Sequence, residues 1–433
     1  MFLQGNSKID PDGQLIIAGC RATDLAEQFG TPLIVYDEDL IRDRMRAYKG
    51  PFVASGLSYA VTYASKAFSS IAVCRIAGEE GLWIDVVSAG ELHTALAAGV
   101  DPANILMHGN NKTREEILYG LRAGIAYFVV DNFYEIDLLN ELALAERREV
   151  DILLRVSPGV DAHTHEFITT GKQDSKFGFD LFSGQVMRAV AEVQDKPALH
   201  LRGLHSHIGS QIFDVEGFRV AAERMAETYV HLRDEANVGL SVLNLGGGLG
   251  IRYTREDMVP PIETMVAAII DTVRTSFAAR GMDVPTLVLE PGRSVIAEAG
   301  TTLYRVGSRK DIPGVRTYIA VDGGMTDNPR VALYGAKYEA SIANRMTEPE
   351  AKIVSIAGKC CESGDMLIWD VALPEVRADD ILAVYCTGAY NYSMASNYNR
   401  LPRPAVVLVK DGAARLAVRR ETLDDLIRLD VAD

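Results

Sequence analysis

Leu287-Val288-Leu289-Glu290-Pro291-Gly292-Arg293 carries an apolar run into a carboxylate and then into a proline-glycine turn. Such a run, cut off by Pro and Gly, predicts a buried strand with a defined carboxyl end. Counting backward, β-rich runs occupy 57–63, 83–87, 105–107, 126–131, 151–157, 201–207 and 242–245, which makes 286–290 the eighth. Helical patterns separate them. In 113–123, Thr113 stands three residues before Glu116, the spacing of a capping box. The stretch 261–280 has apolar residues at helical spacing and Gly281 as its stop. Eight strand-then-helix units predict a closed parallel (β/α)8 TIM barrel in an α/β chain, because the alternative, an open Rossmann-type sheet, seldom needs so many strands.

Beyond Arg293 the rhythm changes to alternating strands at 302–306, 318–321, 353–356, 366–369, 381–385 and 405–409, with Lys410-Asp411-Gly412 turning the chain into 414–418. This predicts a second, all-β domain of barrel or sandwich type. The run Leu33-Ile34-Val35-Tyr36 precedes the first barrel strand and is expected to join it. The expected division is therefore 40–293 for the barrel, and 1–39 with 294–433 for the β domain. With 433 residues the chain exceeds what one hydrophobic core usually fills. The polar stretch 158–178 is an oversized barrel connection, of the length and polarity that suit a lid.

The 59 acidic residues outnumber the 44 basic ones, giving a net charge of −15 that repels nucleic acid and anionic lipid surfaces. The start, Met1-Phe2-Leu3-Gln4-Gly5-Asn6, lacks the pattern of a secretory signal, and no apolar run is long enough for a bilayer, so a cytoplasmic protein is expected. Five cysteines show no C-x-x-C spacing and are too sparse for a disulfide framework.

In a barrel the chemistry sits at the carboxyl ends of the strands. Lys66, in Tyr63-Ala64-Ser65-Lys66, follows the first; such a lysine either projects into water or, if buried, must be paired, neutral or covalently engaged. Asp85 ends the second strand, His108 follows the third, and Arg155 lies near the end of the fifth. The sixth strand ends in His205-Ser206-His207-Ile208-Gly209-Ser210-Gln211, and the seventh in Gly246-Gly247-Gly248-Leu249-Gly250. Bare glycine amides at Gly247 and Gly248, with Gly292 and Arg293 after the next strand, form the kind of nest that cradles a phosphate. Glu290 is either the partner of a barrel arginine or the carboxylate that holds a protonated pyridine nitrogen, and His207 is placed to stack on such a ring. Metal binding has little support, since no third ligand stands at suitable spacing.

Tyr63-Ala64-Ser65-Lys66, HSHIGSQ at 205–211, GGGLG at 246–250, EPGR at 290–293, CESGD at 361–365 and GAYNYSM at 388–394 occur in this order. Over nearly its whole length the chain resembles the diaminopimelate decarboxylases, members of the alanine-racemase-like class of pyridoxal-phosphate enzymes. The resemblance implies pyridoxal 5'-phosphate carried on Lys66, and a head-to-tail homodimer with active sites at its interface. It assigns His207, Ser210, Gly247, Gly248, Glu290, Gly292, Arg293 and Tyr390 to the cofactor. Arg293, Arg330, Tyr334, Glu362 and Tyr390 go to the substrate, and Cys361 is the implied proton donor, with Cys361 and Glu362 coming from the second subunit. Val331 and Phe68 depart from the family's usual proline and asparagine, and neither touches a reacting group.

Relatives on this fold decarboxylate ornithine, lysine or arginine, whose far ends carry a cation alone. Diaminopimelate ends in a second amino-acid group, so its far carboxylate needs a cation and its far ammonium an anion. Arg330 and Glu362 are the expected pair. The implied reaction is decarboxylation of meso-2,6-diaminopimelate to L-lysine, the last step of lysine biosynthesis. The other readings are a decarboxylase of another basic amino acid, and a catalytically dead cofactor-binding regulator, which would be expected to lack Lys66, Cys361 or the phosphate turn.

Overall fold

The computed structural model describes residues 2–160 and 175–432. Most of the connection expected to act as a lid lies outside the described residues.

All eight expected barrel strands form: β1 (Tyr59–Ala64), β2 (Trp83–Val86), β3 (Ile105–Met107), β4 (Tyr127–Val130), β5 (Val150–Ser157), β6 (Leu199–His205), β7 (Val242–Asn244) and β8 (Thr286–Leu289). Each pairs in parallel with the next, and β8 pairs with β1, so the sheet closes. An apolar layer fills the interior with Ala60, Leu106, Val129, Leu153, Val242 and Val288, packed by Trp83 and Tyr127. Side chains two apart on a strand share a face. Two residues further along these strands stand Asp85, His108, Asp131, Arg155, Asn244 and Glu290, so the apolar layer is followed by a polar one.

The connecting helices begin where the sequence marks them. Thr113 accepts from the Glu116 amide while the Glu116 side chain accepts from the Thr113 amide, closing the capping box of the helix Arg114–Ala123. The helix Ile262–Ala278 starts after Pro261, and Gly281 leaves it with a φ of 65°.

Contacts divide the chain into two compact units: Arg44–Gly250 with Val259–Ser294, which is the barrel, and Met1–Asp43 with Ile251–Met258 and Val295–Asp433. In the second unit the strand order is Met366–Leu373, Lys352–Ala357, Arg316–Val321, Gly300–Ile312, Leu33–Asp37, Ala405–Lys410, Ala413–Val418. The N-terminal strand does join this sheet, antiparallel to Gly300–Ile312 and parallel to Ala405–Lys410, with Leu33 to Tyr36 wholly buried. The last hairpin turns on Asp411 (φ 50°) and Gly412 (φ 76°), two residues in the left-handed region that matches a tight hairpin to strand twist. Three short strands, Ser7–Ile9, Leu15–Ile17 and Cys20–Arg21, form a separate small sheet, and Ala340–Ile342 pairs with Ile381–Tyr385.

Candidate active site

Lys66 sits in a single 3-10 turn, Ser65–Ala67, directly after β1, and its side chain is exposed. Its turn is fixed from both sides. The Ala64 amide donates to the Pro291 carbonyl (2.9 Å), and a methyl group added at Gly292 would lie 3.1 Å from the Ala64 Cβ and 3.2 Å from the Ala67 Cβ. Gly292 thus lets the turn after β8 lie flat against the one carrying Lys66.

Glu290 is the hub of the polar layer. Its Oε1 accepts from His108 Nε2 (2.9 Å) and Asn244 Nδ2 (2.7 Å), and its Oε2 accepts from His205 Nε2 (3.1 Å). Burial opposes its charge, but His108 and His205 outweigh burial and hold the carboxyl well below the usual range. For His108, burial is outweighed by Asp85 and Glu290, which raise it; Asp85 itself is raised by burial, against the pull of His108. His205 differs: burial takes it down to about 4, so at neutral pH it is a neutral donor to Glu290 rather than a cation. His108, His205 and Glu290 offer ligand atoms within 4.8 Å of one another, as a metal site would. Here one nitrogen of each imidazole is engaged with Glu290.

The loops after β6, β7 and β8 interlock. A methyl at Gly247 would lie 2.1 Å from the Glu290 carbonyl oxygen, and one at Gly248 would lie 2.4 Å from that of Gly209. At Gly246 it would meet the Ser206 carbonyl at 2.7 Å. The Glu290 amide donates to the Gly246 carbonyl and the Ile212 amide to that of Gly248. Arg293, buried at the start of a four-residue helix, donates to Ser210 Oγ from Nε (3.3 Å) and Nη2 (3.1 Å). Ser206 Oγ is wholly buried and, among the described residues, has no hydrogen-bond partner. His207 lies past the end of β6, so strand alternation with His205 does not reach it; it is half-buried, and desolvation followed by the charge of Lys66 keeps it well below the usual imidazole range.

These groups fit pyridoxal phosphate. An ionised buried carboxylate suits a pyridinium nitrogen, a neutral imidazole suits a ring face, and the Ser210–Arg293 pair with close-set glycine turns suits a phosphate. The barrel unit brings together Lys66, His207, Ser210, Gly247, Gly248, Glu290, Gly292 and Arg293. The sequence reading missed His108, His205 and Asn244 as the groups that fix Glu290. Only a partial signal was present: His108 and Asn244 stand two residues beyond the core residues Leu106 and Val242, whereas Gly203 stands two before His205.

The other expected residues belong to the second unit. Arg330 is buried at the start of the helix Arg330–Tyr334, and Tyr334, at its end, is half-buried. Tyr390 is half-buried and holds a φ of 61°, next to the buried Asn391. Cys361 and Glu362 are exposed. Their loop is clamped by buried Asp365, whose two oxygens accept from the Met325 amide (2.6 Å) and the Cys360 amide (2.7 Å). Methyl groups at Gly324 and Gly358 would come within 2.5 and 2.2 Å of that carboxylate, so both backbones need glycine to close around it.

A closed barrel with a lysine after its first strand, an ionised carboxylate after its eighth and glycine turns packed between them is the framework of the pyridoxal-phosphate decarboxylases of barrel type. Residues 38–297 match the family model described as "Pyridoxal-dependent decarboxylase, pyridoxal binding domain". The chain is 56% identical to the diaminopimelate decarboxylase of Bacillus subtilis (strain 168), covering 100% of this chain and 98% of that one. The crystal structure of diaminopimelate decarboxylase from M. jannaschii in complex with L-lysine superposes with a TM-score of 0.94 at 37% identity, covering 100% of this chain and 99% of the other. The lysine/ornithine decarboxylase of Vibrio vulnificus, 23% identical over 90% of this chain and 97% of its own, shares the fold with a TM-score of 0.77. The chain belongs to the diaminopimelate decarboxylase family.

Proposed function

We propose that the protein decarboxylates meso-2,6-diaminopimelate to L-lysine and carbon dioxide, the last step of lysine biosynthesis. The observation that carries this is Arg330: a buried guanidinium that, among the described residues, pairs with no carboxylate, in a chain whose relatives recognise a substrate with a far carboxylate. A decarboxylase of ornithine, lysine or arginine has no use for it.

Pyridoxal phosphate, when bound, supplies the sink for the electron pair that the departing carboxylate leaves behind. Lys66, whose side chain is exposed, would be its attachment point. Glu290, kept ionised by His108 and His205, would hold the ring nitrogen, and His207 would stack against the ring. Ser210, Gly247, Gly248, Gly292 and Arg293 hold the phosphate, with Tyr390 completing the set. Arg330, Tyr334, Tyr390 and Arg293 bind substrate, Glu362 takes the far ammonium, and Cys361 holds the proton for the reacting carbon. The exposure of Cys361 and Glu362 on their own chain supports a homodimer in which a second copy supplies them. Lys66, Cys361 and the glycine turns are all present, which disfavours the regulatory reading.

Among the described residues no helix is long and apolar enough to cross a membrane. We place the protein in the cytoplasm, as a barrel of about 40–293 and a β domain of the remainder. Incubating holoenzyme with meso-diaminopimelate should release lysine and carbon dioxide in equal amounts. Carbon dioxide without lysine, or neither product, would overturn the reading.

A further inference from the structure

A guanidinium taken out of water normally sits against a carboxylate, because burial of an unpaired charge is costly. Arg330 is handled differently. Its Nη1 donates to the hydroxyls of Tyr338 (2.7 Å) and Tyr253 (3.0 Å), and its charge lies over both rings, 5.8 Å and 5.0 Å from their centroids. The two rings meet edge to face at 5.6 Å, so they form one corner around the arginine. Tyr338 also donates to Asn391 Oδ1 (3.4 Å), tying the corner to the turn that carries Tyr390. Asn391 is buried with an unpartnered Nδ2. Burial pushes the Tyr338 phenol up to about 12, so it stays neutral across the physiological range.

Two phenol hydroxyls and two π faces stabilise a buried cation without cancelling its charge, whereas a carboxylate partner would cancel it. Both bonds use the same nitrogen. Among the described residues none takes a bond from Nε or Nη2, the edge of the guanidinium that can engage a carboxylate with two parallel bonds.

We propose that Tyr253 and Tyr338 are positioning residues that hold Arg330 charged and aimed at the far carboxylate of the substrate, and so set specificity for a substrate that is an amino acid at both ends. This rests on the decarboxylase reading above. Tyr253 comes from Ile251–Met258, a segment of the β7 connection that groups with the second unit, which gives that excursion a task.

The test compares ligands that differ only in the far carboxylate. L-Lysine, the product, retains it; cadaverine lacks it. In holoenzyme, Tyr338→Phe should raise KM for meso-diaminopimelate and the inhibition constant for L-lysine about tenfold, the worth of one hydrogen bond to a charged group. The variant should leave kcat and cadaverine inhibition within about twofold. Tyr253→Phe should behave alike, and the double variant should lose more than either. An equal loss for lysine and cadaverine, or a fall in kcat alone, would show a merely structural role and overturn the proposal; so would unchanged lysine binding. If wild-type enzyme turns over ornithine or lysine faster than diaminopimelate, the reading of function fails instead, whatever the variants do.

Discussion

Glu290 stays ionised in a buried site because two imidazoles of different character serve it. His108 supplies charge and His205, held neutral by burial, supplies a hydrogen bond. Glu290 was legible as a strand-end carboxylate; its three partners were not, because they come from three other strands and meet only when the barrel closes. Lys66 tests the cofactor assignment at the same scale: Lys66→Ala should abolish the visible absorbance of lysine-bound cofactor, and an unchanged spectrum would contradict it. Asp327 is a buried acid outside the proposed chemistry. Burial raises it to about 7, even though the Gly324 amide and Tyr304 hydroxyl bond to it. The unfolded chain releases this proton near 4 while the folded chain keeps it to about 7, so stability falls as pH climbs through that window and levels off above it. Asp327→Asn should therefore gain melting temperature relative to wild type between pH 5 and pH 8, as read by calorimetry. Parallel curves would remove Asp327 as the cause.

Among the elements, those with a strong local signal were legible. Eight strands bounded by turn residues, a capping box and a hairpin on Asp411-Gly412 stand within a few residues of where the sequence places them, since each is decided by its own neighbours. The three short strands between Ser7 and Arg21, which pair with one another, were not, and neither was the strand Ala340–Ile342, whose pairing with Ile381–Tyr385 is set by distant chain. The glycine turn after β7 was read for its amides; the structure adds that its glycines are needed for packing as well. Gly247→Ala would drive a methyl into the Glu290 carbonyl, so it should lower both the melting temperature and cofactor retention, measured on the same preparation. Retention of both would contradict the interlock. Thr113→Ala removes only the cap of an exposed helix start, worth about 1 kcal/mol. A fall of about 1–2 °C with unchanged kcat is expected, and a loss of activity would contradict a purely capping role.

For the whole molecule, a chain that folds as a barrel and a β unit distributes its proposed chemistry by type. The Glu290 network and the glycine turns lie in the barrel; Arg330 lies in the other unit. This division was visible in the switch from helix-alternating to strand-alternating pattern after Arg293. The return of Ile251–Met258 to the second unit was not, because a short segment of ordinary composition carries no sign of which core it joins. The proposed substrate choice turns on Arg330 answering a carboxylate. Its most direct test is the initial rate of carbon dioxide release by wild-type holoenzyme from meso-diaminopimelate, ornithine, lysine and arginine at equal concentration: diaminopimelate is expected to exceed the other three by at least about a hundredfold, the worth of a buried charge pair, and a comparable or faster rate with any of them would contradict it.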